Sequence, residues 1–119
     1  MIPRRSFTPA DRIRKRSEYQ HVYRNGRKIA SRSFILFHLE NPLGRPRLGI
    51  TATRKMGPAV SRNRAKRLLR EWFRVAKPWL PSGDFVVNPR EGIQRLGIEQ
   101  LARELKTALR RLGLEERRI

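Results

Sequence analysis

The sequence predicts a single-domain α+β sandwich with the element order helix, three strands, long helix, strand, helix (αβββαβα). Three observations support this prediction. The chain of 119 residues is long enough for one hydrophobic core but not for a second domain. Two long stretches repeat apolar residues at helical spacing, and three short stretches rich in Val, Ile, Leu and Phe have the length of strands.

The two ends of the chain are predicted to lie outside the folded body. Residues 1–12 lack periodicity and contain Pro3 and Pro9, so we expect a mobile basic arm there. Gly113 can end the last helix, and residues 113–119 are predicted to be a frayed tail. Residues 1–119 would then form one domain with short extensions.

A short first helix is predicted before residue 26. Ser17 and Gln20 match a capping box, in which both side chains satisfy free backbone N–H groups at a helix start. Asn25 and Gly26 form a typical helix end. Tyr19 and Tyr23, four residues apart on one side of this helix, could be core residues or part of a binding surface.

The strands are predicted at residues 27–31, 33–40, 47–53 and 84–88. Both faces of the 33–40 strand are apolar, so one face should pack on helices while the other lines a groove or is also covered. A turn rich in Pro and Gly separates the 33–40 strand from the 47–53 strand, and we expect these two strands to pair antiparallel. Gly49 would weaken its strand unless another backbone or a ligand approaches closely there.

The second helix is predicted from Pro58 to Lys77, and its two faces differ in character. One face is apolar and suits a core: Ala65, Leu68, Leu69, Trp72, Phe73 and Ala76. The other is polar and mostly basic: Asn63, Lys66, Arg67, Arg70, Arg74 and Lys77. The last helix, residues 98–112, has one apolar face and is predicted to pack on the core.

The basic face of the second helix indicates an anionic partner. Lys66, Arg70 and Arg74 follow one another at intervals of four, and like charges at this spacing destabilise an isolated helix. A solvated helix face normally mixes charges of both signs, whereas Glu71 is the only acid here. Arginine can also hold a phosphate with two hydrogen bonds and stack on a base. The face is therefore interpreted as binding nucleic acid.

The composition agrees with a polyanionic partner. The chain has 29 Lys and Arg against 10 Asp and Glu, a formal net charge of +19. No apolar run approaches the roughly 18 residues of a membrane span, so a membrane partner is not expected. No cysteine is present, and no apolar segment of a secretory signal follows the basic first residues. A cytoplasmic location is expected.

The run Arg62-Asn63-Arg64-x-Lys66-Arg67-x-x-Arg70 closely resembles the signature helix of the protein subunit of bacterial ribonuclease P. This ribonucleoprotein removes the 5′ leader from precursor tRNA. The resemblance extends from about Arg14 to Leu112 and includes the strand at 44–51 and the turn at 54–57. It implies an unusual left-handed βαβ crossover, which the family shares with a ribosomal protein domain. The general rule favours right-handed crossovers. Asn88-Pro89 departs from the family pattern of apolar or small residues.

The resemblance implies two binding surfaces. A cleft between the first helix and the sheet would bind the single-stranded leader, and its matching positions are Tyr19, Tyr23, Ile35, Phe37, Arg54, Lys55, Arg62 and Asn63. The basic positions that would face the catalytic RNA are Arg64, Lys66, Arg67 and Arg70. The expected partners are this catalytic RNA subunit and precursor tRNA, with no membrane and no obligate protein partner.

No catalytic residue is predicted in the protein itself. Its acids do not form an obvious cluster of metal-binding carboxylates, and His21 and His38 lie in unrelated contexts. His21 is expected on a helix surface and His38 in a strand with a satisfied partner. The resemblance implies that the holoenzyme is a tRNA 5′-maturation endoribonuclease whose RNA subunit, with Mg²⁺ at the RNA active site, performs catalysis. The protein alone would bind no cofactor.

Two other classes of protein fit part of the pattern. A helix-turn-helix DNA-binding protein would also be small and basic, but the predicted strands at 33–40 and 47–53 occupy the place of its crossing helices. A ribosomal protein or a general RNA chaperone would have the same charge and fold class. The RNA that copurifies with the protein would distinguish these alternatives.

Overall fold

The computed structural model describes residues 7–114 and has the predicted order of helices and strands. The helices are α1 (Arg16–Asn25), α2 (Ala59–Ala76) and α3 (Ile98–Arg111). The strands are β1 (Arg27–Ala30), β2 (Phe34–Leu39), β3 (Pro46–Ile50) and β4 (Gly83–Pro89). Short 3₁₀ turns connect several of them, at Pro9–Asp11, Arg54–Met56, Lys77–Trp79 and Ile93–Arg95.

The strands form one sheet in the order β1-β2-β4-β3. The predicted antiparallel pairing of the second and third strands is therefore wrong, because β4 lies between them, antiparallel to β2 and parallel to β3. Six of the seven residues of β4 are buried, so this apolar strand occupies an interior position with a neighbour on each side. Asn88 and Pro89 do pair, with Ile35 and Phe34 of β2.

The main core lies between one face of the sheet and the helices α2 and α3. The strands contribute Phe34, Leu36, Leu48, Phe85 and Val87, and the helices contribute Ala65, Leu69, Trp72, Phe73, Leu101, Leu105 and Leu109. Each fully buried large side chain contributes about 1.5–3 kcal/mol to the free energy of folding relative to an exposed one. Helix α1 covers part of the other face, over a smaller cluster formed by Ile13, Val22, Phe37 and Val86.

The start of the first helix differs from the prediction, whereas the end of the last helix agrees with it. Helix α1 begins at Arg16, and Glu18 accepts a hydrogen bond from the backbone N–H of Lys15 at 3.1 Å. The capping box predicted at Ser17 is therefore wrong, since a glutamate closer to the start reaches back to the free N–H group. Gly113 ends α3 as predicted, with φ at 76° and its N–H donated to the Arg110 carbonyl.

The segment from Phe7 to Ile13 is part of the folded body. Asp11 is buried, and its carboxylate accepts hydrogen bonds from the Thr8 backbone N–H at 2.8 Å and from Lys77 Nζ at 2.9 Å. The Phe7 ring packs edge-on against Phe73 at 5.6 Å between centroids. The boundary predicted for the mobile arm, at residue 12, therefore lies too far along the chain. Residues 1–6 and 115–119, the rest of the predicted arm and most of the predicted tail, lie outside the described residues.

Candidate nucleic-acid interface

Four of the residues that sequence resemblance assigned to a cleft lie together between α1 and the sheet. Tyr19 and Tyr23 project from α1, and Ile35 and Phe37 from the β2 face that is turned toward α1. Tyr19, Tyr23 and Ile35 are half-buried, so each packs on one side and is accessible on another. We name these four residues the tyrosine cleft. The core interpretation of the tyrosines therefore holds for one side of each ring, and the binding-surface interpretation stays a prediction.

Tyr19 is held against β3. Its ring lies on Gly49, where an added Cβ would approach Tyr19 Cε1 to 2.7 Å, and its hydroxyl donates to the Ile13 carbonyl at 3.2 Å. Burial raises the pKa of Tyr19 above its ordinary value, because the ionised phenolate would lose solvation there. The close approach that Gly49 was expected to permit is thus made by a side chain rather than by a backbone or a ligand.

Tyr23 is held by both its ring and its hydroxyl. The ring meets Phe37 edge-on, with 4.8 Å between the centroids. The hydroxyl is hydrogen-bonded to the Thr51 hydroxyl at 2.7 Å and donates to Asn88 Oδ1 at 3.0 Å. Lys28 Nζ lies 5.8 Å from the centre of the Phe37 ring, which places a cation beside the same cluster.

An ion-pair network fixes α1 over the sheet. Arg47 of β3 donates to both carboxylate oxygens of Asp84 at 2.9 Å and to Glu18 of α1 at 2.9 Å. The hydrogen bond with Asp84 raises the pKa of Arg47 above its ordinary value, and the hydrogen bond with Glu18 adds to this effect. Burial acts in the opposite direction but is outweighed. Because Asp84 lies on β4, this network joins α1, β3 and β4 at one end of the tyrosine cleft.

The other residues assigned to the leader surface lie after β3. Arg54 and Lys55 are exposed on the 3₁₀ turn Arg54–Met56, and Asn63 is exposed on the first turns of α2. Arg62 is half-buried, and its Nε is the one buried side-chain nitrogen or oxygen without a hydrogen-bond partner among residues 7–114. A buried donor without an acceptor costs about 1–3 kcal/mol, which a bound acceptor could recover.

The basic face of α2 forms a shallow groove of about 400 Å³. We name it the basic groove; it is lined by Phe7, Asn63, Lys66, Arg67, Arg70, Glu71 and Arg74. Three of the four residues expected to face a catalytic RNA line it together. The fourth, Arg64, is exposed on α2 but does not line the groove, because the helical spacing directs it away from Lys66 and Arg70.

Sequence reasoning missed two contributors to this region, Phe7 and Arg12. Arg12 lies over the Phe7 ring, 5.2 Å from its centre. Burial, and then the nearby charge of Arg12, lowers the pKa of Arg70 below its ordinary value. Two guanidinium groups therefore repel one another at the edge of the basic groove. The presence of Phe7 beside the charged residues Asp11 and Arg12 was the feature of the sequence that indicated packing of residues 7–12 on the folded body.

Residues that would indicate a protein active site do not converge in the described part of the chain. Among residues 7–114, no group of three His, Asp or Glu side chains could hold a metal ion. His38 is buried with Nε2 at 2.9 Å from the Ser82 carbonyl, and His21 is exposed beside Asn25, as expected for both. Within the same residues, no helix is long and apolar enough to span a membrane.

An α+β domain with a net charge of +19, a groove lined by cations and a cleft lined by aromatic rings has the features of a small RNA-binding protein. The family model for ribonuclease P matches residues 7–113, and the chain belongs to that family.

Relatives and solved structures agree with this assignment. The chain is 40% identical over 101 residues to the ribonuclease P protein component of Syntrophus aciditrophicus, covering 84% of this chain and 85% of the relative. The RNase P protein of Staphylococcus aureus has 31% identity and a TM-score of 0.78, over 88% of this chain and 97% of that one. The protein from Thermotoga maritima has 32% identity and a TM-score of 0.74, over 84% and 96% of the two chains.

Proposed function

We propose that this chain is the protein subunit of ribonuclease P and assists a catalytic RNA in removing the 5′ leader from precursor tRNA. The observation that carries this proposal is the presence of two chemically different surfaces on one small body. The tyrosine cleft offers aromatic rings and few charges, and the basic groove offers cations with a single acid, Glu71. A subunit that contacts both a substrate strand and a large RNA needs two such surfaces.

The leader would lie in the tyrosine cleft. Its unpaired bases stack on the rings of Tyr19 and Tyr23 with little sequence preference, at about 1–3 kcal/mol per base. Ile35 and Phe37 provide an apolar floor, while the exposed cations Arg54 and Lys55 follow the phosphates.

The start of α2 adds polar contacts to the leader. Asn63 is exposed there, and the unpartnered Nε of Arg62 is a donor for which an RNA oxygen is a suitable acceptor.

The catalytic RNA would lie against the basic groove. Lys66, Arg67 and Arg70 bind its phosphates, and the repulsion between Arg70 and Arg12 is relieved when an anion lies between them. Arg64 points away from this groove and would contact a different part of the same RNA. In this arrangement the RNA subunit and its Mg²⁺ ions supply the chemistry, and the protein supplies binding. The cytoplasm, where precursor tRNA is made in bacteria, is the expected location.

The test compares two sets of variants in the reconstituted holoenzyme. Tyr23→Ala removes a stacking ring but no charge, so it should weaken binding of leader-bearing precursor tRNA and leave mature tRNA binding nearly unchanged. Tyr23→Phe keeps the ring and is the matched control. The triple variant Lys66→Ala, Arg67→Ala, Arg70→Ala should instead weaken assembly with the catalytic RNA.

Circular dichroism and thermal unfolding of each variant separate loss of binding from loss of structure. If both sets of folded variants reduce leader binding and assembly in equal proportion, the division into two surfaces is wrong. RNA that copurifies with the chain separates the broader alternatives: ribosomal RNA, or a mixture without one structured catalytic RNA, would favour a ribosomal protein or an RNA chaperone.

A further inference from the structure

Asn88 of β4 presents a hydrogen-bond donor to the floor of the tyrosine cleft. Its Cα pairs with that of Ile35 on β2, so its side chain lies on the same face of the sheet as Ile35 and Phe37. Asn88 Oδ1 accepts the hydrogen bond from the Tyr23 hydroxyl. Within residues 7–114 its Nδ2 makes no hydrogen bond, and this nitrogen is not among the buried atoms without a partner, so solvent reaches it.

The hydrogen bonds around Tyr23 favour one orientation of the Asn88 amide. Tyr23 has one proton, and Asn88 Oδ1 can only accept, so Tyr23 donates to Asn88. The Thr51 hydroxyl, 2.7 Å away, then donates to the Tyr23 oxygen, and each hydroxyl proton has an acceptor. If the amide were turned round, the Thr51 proton would have no acceptor among the described side chains. The arrangement that uses both hydroxyl protons leaves the two N–H bonds of Asn88 facing the cleft.

We propose that Asn88 Nδ2 forms a base-reading subsite that accepts a keto nucleobase, guanine or uracil, at one position of the bound strand. This inference rests on the proposed function, because it requires a single strand of RNA in the tyrosine cleft. Stacking on the tyrosines does not distinguish bases, whereas a fixed donor beside them does.

The chemistry of the base edges sets the preference. Guanine O6 and uracil O4 are acceptors, and at the corresponding positions adenine and cytosine have amino groups that donate. A keto oxygen can accept from Asn88 Nδ2, whereas an amino group would oppose one donor with another. One hydrogen bond of this kind is worth about 0.5–1.5 kcal/mol, so keto bases should be enriched about 2- to 13-fold.

The experiment measures base preference along the whole leader. Precursor tRNA with a fully randomised leader is bound to the reconstituted holoenzyme, and sequencing gives the enrichment of each base at each leader position. The wild-type chain should enrich guanine and uracil at one position. Asn88→Asp keeps an oxygen that accepts from Tyr23 but replaces the donors with an acceptor, so adenine and cytosine should be enriched there instead. Asn88→Leu should show no preference at that position.

The outcomes separate this inference from the function on which it rests. Equal enrichment of all four bases at every position by the wild type, or the same preference in wild type and Asn88→Asp, would overturn the subsite while leaving leader binding intact. Equal affinity of the wild-type holoenzyme for leader-bearing and mature tRNA would instead overturn the proposed leader cleft. Asn25→Asp, an exposed change on α1 with the same loss of an amide, controls for the added negative charge.

Discussion

The ring of Tyr19 lies so close to Gly49 that a Cβ on residue 49 would be 2.7 Å from Cε1 of the ring and 2.9 Å from the phenolic oxygen. This contact joins α1 to β3, and it sets the depth at which α1 sits over the sheet. The glycine is needed for the space it leaves rather than for an unusual backbone conformation, because Gly49 is not among the glycines with positive φ.

Replacement of Gly49 by alanine should therefore displace Tyr19 and lower the free energy of unfolding by about 1–3 kcal/mol, as overpacking commonly does. Urea unfolding followed by circular dichroism measures this cost. In a Tyr19→Ala background the ring is absent, so the same substitution should cost much less. An equal cost in both backgrounds would mean that the Tyr19 contact is not the reason for the glycine.

The sequence predicted the elements that depend on local pattern and missed those that depend on pairing across the chain. The two faces of α2 follow from helical spacing alone, and the long helix was correctly placed to within a residue or two. The position of β4 between β2 and β3 depends on contacts between distant segments, which the local pattern does not contain. The hydrogen bond between the Tyr23 and Asn88 side chains likewise joins residues 65 positions apart in the sequence.

The ion pair between Arg47 and Asp84 should be a strong determinant of stability. The side chains of Arg47 and Asp84 are only 15% and 9% exposed, so removal of Asp84 leaves the Arg47 charge with little solvent and with Glu18 as its remaining partner. Asp84→Ala should lower the free energy of unfolding by about 3 kcal/mol. The exposed pair of Arg95 and Glu91 is the control, and Glu91→Ala should cost less than about 1 kcal/mol. Similar costs for the two variants would contradict the role given to burial.

Acid should weaken the contact between α3 and the β1–β2 turn. Burial alone would raise the pKa of Glu104, but hydrogen bonds from the Ser31 and Ser33 hydroxyls and from the Ser33 N–H outweigh it and hold the pKa below its ordinary value of 4.5. A carboxylate with a lowered pKa stabilises the fold above its unfolded-state pKa, and this contribution is lost as the pH falls through the folded-state value.

Glu104→Gln removes the titrating group while keeping a similar shape. The variant should be less stable than the wild type at pH 7, and the difference should shrink as the pH falls below about 4.5. Urea unfolding across this range gives both curves. A difference that stays constant down to pH 3 would show that the charge of Glu104 does not contribute.

The basic groove should dominate the salt dependence of binding to the catalytic RNA. Removal of one cation that neutralises a phosphate lowers the steepness of log affinity against log salt by about 0.7–0.9. The triple variant Lys66→Ala, Arg67→Ala, Arg70→Ala should therefore flatten the dependence by about two to three units. Arg90→Ala, Arg103→Ala, Arg110→Ala removes the same charge from sites elsewhere on the surface and is the matched control. Equal flattening by both triples would indicate a response to net charge rather than to the groove.

Arg12 should affect RNA binding and stability differently, because its charge opposes another cation in the free protein. The charge of Arg12 repels Arg70, as the lowered pKa of Arg70 indicates, and this repulsion destabilises the folded protein. The contact of Arg12 with the Phe7 ring stabilises it, by about 0.5–1 kcal/mol at an exposed site. These two effects oppose one another, so Arg12→Ala should change the free energy of unfolding by less than about 1 kcal/mol.

The affinity of Arg12→Ala for the catalytic RNA should nevertheless fall several-fold, because a phosphate between Arg12 and Arg70 would then have one cationic partner instead of two. Filter binding at fixed salt gives the affinity, and urea unfolding gives the stability. Arg14→Ala, an exposed cation two residues further along, is the control and should bind more nearly like the wild type. A fall in stability large enough to account for the weaker binding would make Arg12 a structural residue of the N-terminal segment instead of a contact to RNA.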